Sequence, residues 1–111
     1  MKYLMTQEEF EAILNDPEPR FTAIYFGATW CGPCRMVDVN ALDATPNVSW
    51  LKCDIDQNNY TPGFCGVRSI PSFIVVANGK VTGPMQEIDT EAIKDWVEEK
   101  RAAWLKNIPP K

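Results

Sequence analysis

Apolar residues along this chain keep two rhythms, one helical and one extended, with polar or proline-rich breaks between them. Thr6 followed by Glu9 has the form of a capping box, in which hydroxyl and carboxylate each satisfy backbone donors; Phe10, Ile13 and Leu14 then repeat at helical spacing. This predicts a helix over 7–15, broken by the Asp16-Pro17-Glu18-Pro19 stretch. Residues 21–27, FTAIYFG, form a short aromatic and β-branched run, the profile of a buried strand. Arg35 to Leu42 reads as a short helix stopped before Pro46. Residues 48–56, VSWLKCDID, predict a second strand, and QNNYTPGFCG after it is irregular with room for one helical turn. SFIVVA at 72–77 predicts a third strand, and Asn78-Gly79 signals a tight hairpin into KVTG. From Thr90, the residues Ile93, Trp96, Val97 and Trp104 mark one face of a last helix, which ends before Pro109-Pro110.

This order of elements implies an α/β architecture. Two strands joined by a helical crossover run parallel, with right-handed connection, and the hairpin adds an antiparallel edge. The expected fold is one mixed β-sheet with helices on both faces, in a single domain over 1–111. The chain's 111 residues, 45% hydrophobic, supply one core and not two. A net charge of -4 without any Lys/Arg run argues against a nucleic-acid partner. No apolar stretch approaches membrane-spanning length, which argues against a membrane partner. Met1-Lys2-Tyr3-Leu4-Met5 turns polar at Thr6, short of the apolar core of a signal peptide. The cytoplasm is therefore the expected compartment, where thiols stay mostly reduced.

The chain has no histidine, which removes Cys-His pairs, Ser-His-Asp triads and imidazole zinc sites. Attention falls on Cys31 and Cys34, separated by Gly32 and Pro33 where a strand gives way to a predicted helix. Unpaired N–H groups at a helix start favour thiolate over thiol. Residues three apart on a first turn share a face, with Cα atoms about 5–6 Å apart, inside disulfide range. Pro33 suits such a turn, since its missing N–H would be unpaired there anyway. Cys31, nearer the loop and exposed to attack, would strike a substrate disulfide; Cys34, one turn deeper, would resolve the mixed disulfide.

Two other uses of these sulfurs fit less well. The cysteine spacing is C-x2-C-x18-C-x11-C, whereas ribbon-like zinc sites use two close pairs. A static disulfide across two residues closes too short a loop to restrain the unfolded chain much. Cys53, within a strand, reads as a small apolar residue. Trp96 and Trp104 read as core anchors, Glu98 to Arg101 as a solvated helix face, and the direction of Trp50 is left open.

WCGPCRM at 30–36 resembles the active-site segment of thioredoxins, and the resemblance extends along almost the whole chain. LKCDIDQN at 51–58 is similar to the family's central strand and following turn, and GVRSIPSF at 66–73 to its cis-proline segment. The resemblance implies the thioredoxin fold and a protein-disulfide reductase and electron carrier. Such a carrier has no bound cofactor, only a redox-active Cys31–Cys34 disulfide. Its implied partners are disulfide-containing proteins and a thioredoxin reductase, and it acts as a monomer. By the same resemblance Cys31 is nucleophile, Cys34 resolving thiol, and Gly32 and Pro33 complete the motif. Trp30 shields the site or simply packs on the surface. Pro71 is cis and faces the disulfide, or else trans and opening a strand, while Ile70 offers backbone groups to a substrate strand. Asp56 bonds the Trp30 indole or sits in a turn. At the place of Cys65 some thioredoxins carry a regulatory cysteine; a thiol without function is the plainer reading.

The chain departs from the family in four places. Tyr25 stands where a buried Asp serves as proton acceptor for the resolving cysteine. Lys52 matches the lysine beside that Asp, and either perturbs Cys34 or is an exposed strand lysine. Val39 replaces a helix-kinking proline, so a shorter and straighter helix is expected. Gly27 replaces a tryptophan. The small glycine beside the site late in the chain falls near Gln86-Glu87, either as an altered docking surface or through a shifted gap. The missing Asp keeps a second expectation alive: a binding module or accessory subunit of another enzyme, with incidental redox activity.

Overall fold

The computed structural model describes residues 1–108. In chain order its elements are β1 (Lys2–Tyr3), α1 (Gln7–Leu14), β2 (Phe21–Gly27), a single 3-10 turn (Pro33–Met36), α2 (Val39–Asp43), β3 (Ser49–Asp54), α3 (Tyr60–Phe64), β4 (Ser72–Ala77), β5 (Lys80–Gln86) and α4 (Thr90–Lys106). The strands lie in the order β1-β3-β2-β4-β5. β3 runs parallel to β1 and β2, and β4 antiparallel to β2 and β5. This is the mixed sheet the element order implies.

β2 explains the unbroken apolar run. It is paired on both edges and buried along its whole length, so both of its faces need apolar side chains. Phe21, Ala23 and Tyr25 join Phe73 and Val75 of β4 in one core, closed by Leu42 of α2 and by Ile93 and Val97 of α4. Ile24 and Phe26 join Ile74 and Val76 in the other, closed by Phe10 of α1. Helices thus cover both faces. No helix among the described residues is long and apolar enough to cross a membrane.

The local signals act as their chemistry requires. Thr6 Oγ1 accepts from the Glu9 N–H at 3.1 Å, and Glu9 Oε1 reaches back to the Met5 N–H at 3.3 Å, one residue before the cap. Asn78 and Gly79 take positive φ of 54° and 75°, the pattern of a type I′ hairpin turn. Asp89 caps α4 by accepting from the Glu91 and Ala92 N–H groups. Pro109 and Pro110, read as the stop of that helix, lie outside the described residues.

Three expectations need correction. The expected order starts with a helix and has no strand before it, yet Lys2 and Tyr3 pair with Leu51 and Lys52 as an edge strand. Two exposed residues carry no alternation to detect. The single helix over Arg35–Leu42, straight once Val39 replaced the kinking proline, is instead interrupted. Val37 is extended, Asp38 accepts from Ala41 N–H as the cap of α2, and the Asp38 N–H donates to Thr90 Oγ1 at 3.0 Å. An aspartate that caps well ends one helix and starts another without any proline. The hairpin's second strand also runs past KVTG to Gln86, through a register shift opposite Phe73 and Val75. Gly83 makes that shift feasible, with φ of 109° and a Cβ position only 2.8 Å from the Phe73 carbonyl oxygen.

Asn58 joins distant parts of the frame. It is 4% exposed; its amide donates to the Leu4 carbonyl at 3.2 Å and to Thr61 Oγ1 at 2.9 Å, and its Oδ1 accepts from the Thr61 N–H at 3.2 Å. Asn58→Ala leaves those buried groups unpaired and should cost about 1–3 kcal/mol in urea unfolding. Lys94→Ala, which removes an exposed ion pair to Glu91, should stay within about 0.5 kcal/mol of the wild type.

Candidate active site

β2 delivers the chain into a tight turn, in which the Cys31 N–H donates to the Ala28 carbonyl at 3.2 Å. Pro33 then opens the 3-10 turn, and Cys31 and Cys34 are joined as a disulfide with Cα atoms 5.3 Å apart. That separation lies in the range the two-residue spacing predicts. The Cys34 N–H points at Cys31 Sγ at 3.1 Å, and the Ile70 carbonyl oxygen lies 3.8 Å from the same sulfur. The Ile70–Pro71 peptide bond is cis. Segments far apart in sequence therefore converge on the Cys31 sulfur.

Two details of the expected chemistry change. A single 3-10 turn of four residues, not a full helix, follows Cys31, so little aligned backbone dipole faces the sulfur. The donor present is the specific Cys34 N–H. The expected contrast between an exposed Cys31 and a deeper Cys34 is also absent in the disulfide form, the two being 4% and 7% exposed. Bridging the sulfurs turns each toward the other and away from solvent. What distinguishes Cys31 is its place beside Ile70. A Cβ on Gly32 would meet nothing within 4 Å, so the surface at this residue, between the two cysteines, is open.

Trp30 is 64% exposed, and its indole N–H donates to Asp56 Oδ2 at 2.7 Å, which holds the ring upright beside the disulfide. Trp30 thereby forms one wall of a cavity of about 490 Å³ whose other sides include Ile55, Pro62, Val67 and Ile70. Sequence reading did not find Ile55, Pro62 or Val67 as site residues. Ile55 reads as part of the strand at 48–56 and Pro62 and Val67 belong to no periodic pattern; only the tertiary fold brings them to Trp30.

The sequence model of the thioredoxin family matches residues 2–99. The chain belongs to the thioredoxin family. It is 30% identical over 79 residues to mitochondrial thioredoxin-3 of Saccharomyces cerevisiae, a match covering 68% of this chain and 62% of that protein. It is 42% identical over 60 residues to thioredoxin of Haemophilus influenzae, covering 50% of this chain and 56% of that protein. In both cases the matched stretch spans less than two thirds of the relative's length. The crystal structure of Fasciola hepatica thioredoxin superimposes with a TM-score of 0.79 at 28% identity, covering 89% of this chain and 98% of that one.

Against the thioredoxin pattern, the departures at Tyr25 and Gly27 are a single change. Tyr25 is 3% exposed, stacks on Phe73 with centroids 5.3 Å apart, and lays its ring along β2 over Gly27. A Cβ at Gly27 would stand 2.7 Å from the Tyr25 hydroxyl. The tyrosine thus occupies the space a side chain at 27 would fill. Burial pushes the Tyr25 pKa up, so this residue keeps its proton near neutral pH and is no base. Among the described residues no hydrogen bond joins it to either sulfur. Lys52 is half-buried, with Nζ 5.6 Å from the Tyr3 ring centroid and 5.7 Å from that of Tyr25. Half-buried, it is not an exposed strand lysine: its charge rests on two aromatic faces. Gly27→Ala should destabilise by about 1–3 kcal/mol through overpacking. In a Tyr25→Ala background the same substitution should add almost nothing, a coupling that a double-mutant cycle in urea measures.

Cys53 and Cys65 lie in the core on the α1 side of the sheet, whereas Cys31 and Cys34 lie in the core on the α4 side. The four sulfurs cannot converge on one zinc ion. Cys53 is a buried apolar group, as its strand position suggests, and its Sγ lies 3.6 Å from the Asn58 carbonyl oxygen. Cys65 is buried as well, at 8% exposed. Burial pushes both thiols from the ordinary 9.0 up to about 12. A raised folded-state value means that the folded chain holds these protons after the unfolded chain has released them. Stability should therefore be full below pH 9 and decline as pH rises through about 12, as read by urea midpoints. After reduction at pH 8, iodoacetamide should label Cys31, whose thiolate the Cys34 N–H favours, in the native protein, and Cys53 and Cys65, with their raised pKa values, only once it is unfolded.

Proposed function

We propose that this thioredoxin-family chain is a protein-disulfide reductase and electron carrier. The observation that carries the reading is the Cys31–Cys34 disulfide set against the cis Ile70–Pro71 bond and the apolar cavity under Trp30. Exposed Trp30 and Met36, 64% and 66% accessible, give the site an apolar rim suited to a protein partner.

In the reducing direction, the Cys31 thiolate attacks one sulfur of the substrate disulfide. A mixed disulfide forms, and the other substrate sulfur leaves as thiolate. The Cys34 N–H, aimed at the Cys31 sulfur, stabilises its negative charge before attack. Cys34, as thiolate, then attacks Cys31 Sγ. The second substrate thiolate leaves and the Cys31–Cys34 bond closes. Two electrons and two protons pass to the substrate. Tyr25 takes no proton in this scheme, so the Cys34 proton goes to solvent or to the departing substrate sulfur.

The Ile70 backbone offers hydrogen bonds to an extended substrate segment, and the cavity beside Trp30 takes an apolar side chain of that segment. A reductase regenerates the dithiol, and the carrier works as a monomer without a bound cofactor. The unpaired Cys53 and Cys65 support a reducing compartment, the cytoplasm, as its setting.

With dithiothreitol as electron source, the wild type should accelerate insulin reduction and Cys31→Ser should fall to the uncatalysed rate. Cys34→Ser should accumulate a mixed disulfide through Cys31, visible as a mass adduct removed by excess thiol. Turnover by Cys31→Ser equal to wild type would sink the proposal and leave the accessory-subunit reading in its place.

A further inference from the structure

Beside Pro33 and the Ile70–Pro71 loop, the site carries a contact that thiol exchange does not require. Gln86, the last residue of β5, pairs in register with Ser72, and its side-chain amide Nε2 donates to the hydroxyl of Ser69. Ser69 is held a second time, its carbonyl accepting from Ser72 Oγ at 2.6 Å. The loop carrying Ile70 and Pro71 is thereby tied to the segment carrying Glu87 and Ile88. Between those two segments and Pro33 lies a cavity of about 360 Å³. Glu87 does not reach across it: its Oε2 accepts from the Ile88 N–H at 3.0 Å and the Asp89 N–H at 3.3 Å, at the entry to α4. Gln86 and Ser69 are both exposed and both line that cavity, so their bond lies at its surface and supports no core contact.

We infer that Gln86 is a specificity-determining latch across the path of an extended substrate. The inference rests on the reading of Ile70 as the strand-pairing edge. A segment paired with Ile70 continues past Ser69, where Gln86 lines the cavity. It enters only if Gln86 swings aside and gives up its bond, or if the segment bends away. A low-molecular-weight disulfide approaches Cys31 over Gly32, where the surface is open, and does not meet the latch. The latch therefore disfavours long extended partners relative to compact disulfides.

The test compares wild type with Gln86→Ala, Ser69→Ala and the double variant, using insulin and hydroxyethyl disulfide as substrates. Each single variant should raise kcat/KM for insulin by about three- to tenfold, the scale of one net hydrogen bond. Hydroxyethyl disulfide turnover should stay unchanged, and the double variant should gain no more than either single, because both remove one contact. No gain with insulin, or an equal gain with both substrates, overturns the latch. Failure of the reductase reading looks different: the wild type then reduces neither substrate. Binding settles the latch in that case too. In a Cys31→Ser/Cys34→Ser background, Gln86→Ala should tighten calorimetric binding of thiol-blocked insulin B chain by a similar factor, and unchanged affinity overturns the inference.

Discussion

The structure depends on β2 being enclosed on all sides. Its edges are hydrogen-bonded to β3 and β4, and its faces are covered by helices, so none of its residues meets solvent. A strand held this way has one register and one direction, which fixes where its end lies. The reactive turn is attached there. Because β4 is also fixed by pairing with β2, the segment that precedes β4 reaches the same place, and the Ile70 carbonyl meets Cys31 without either loop being long. The geometry of the site is a result of sheet pairing, and the loops only express it.

That dependence explains how the core around the sulfurs tolerates an unusual composition. The tyrosine at 25 is an aromatic filler, stacked on Phe73 and seated over a residue with no side chain. Lys52, left without a carboxylate, rests on the rings of Tyr3 and Tyr25. Packing around Cys34 is apolar, with Tyr25 and Phe73 in the same core. The polar groups that act on Cys31 belong to the backbone, at Cys34 and Ile70, and no side-chain substitution nearby removes them directly.

Legibility in the sequence followed the range of the physics. Elements set by near neighbours were readable to within a residue or two: the Thr6 cap, the run at 21–27, the Asn78-Gly79 turn, the face marked by Ile93 and Val97. The CGPC spacing fixed a disulfide because two residues on one turn cannot be far apart. Long-range events were not readable. Asp38 splits a helix partly through Thr90, fifty-two residues away, and β1 exists only because β3 offers an edge. The Trp30–Asp56 bond was one of two options until the fold placed them together. Tyr25 and Gly27 look like separate departures in a sequence, since nothing linear says which way a ring leans. The wall of the Trp30 cavity was invisible for the same reason.

The arrangement of the four sulfurs, two on each side of the sheet, bears on which disulfides the chain can form. A free thiolate next to a disulfide trades partners with any other sulfur within reach. Here the backbone of a continuous sheet stands between the working pair and the silent pair. The partition confines the Cys31–Cys34 bond to its own side of the sheet, away from Cys53 and Cys65.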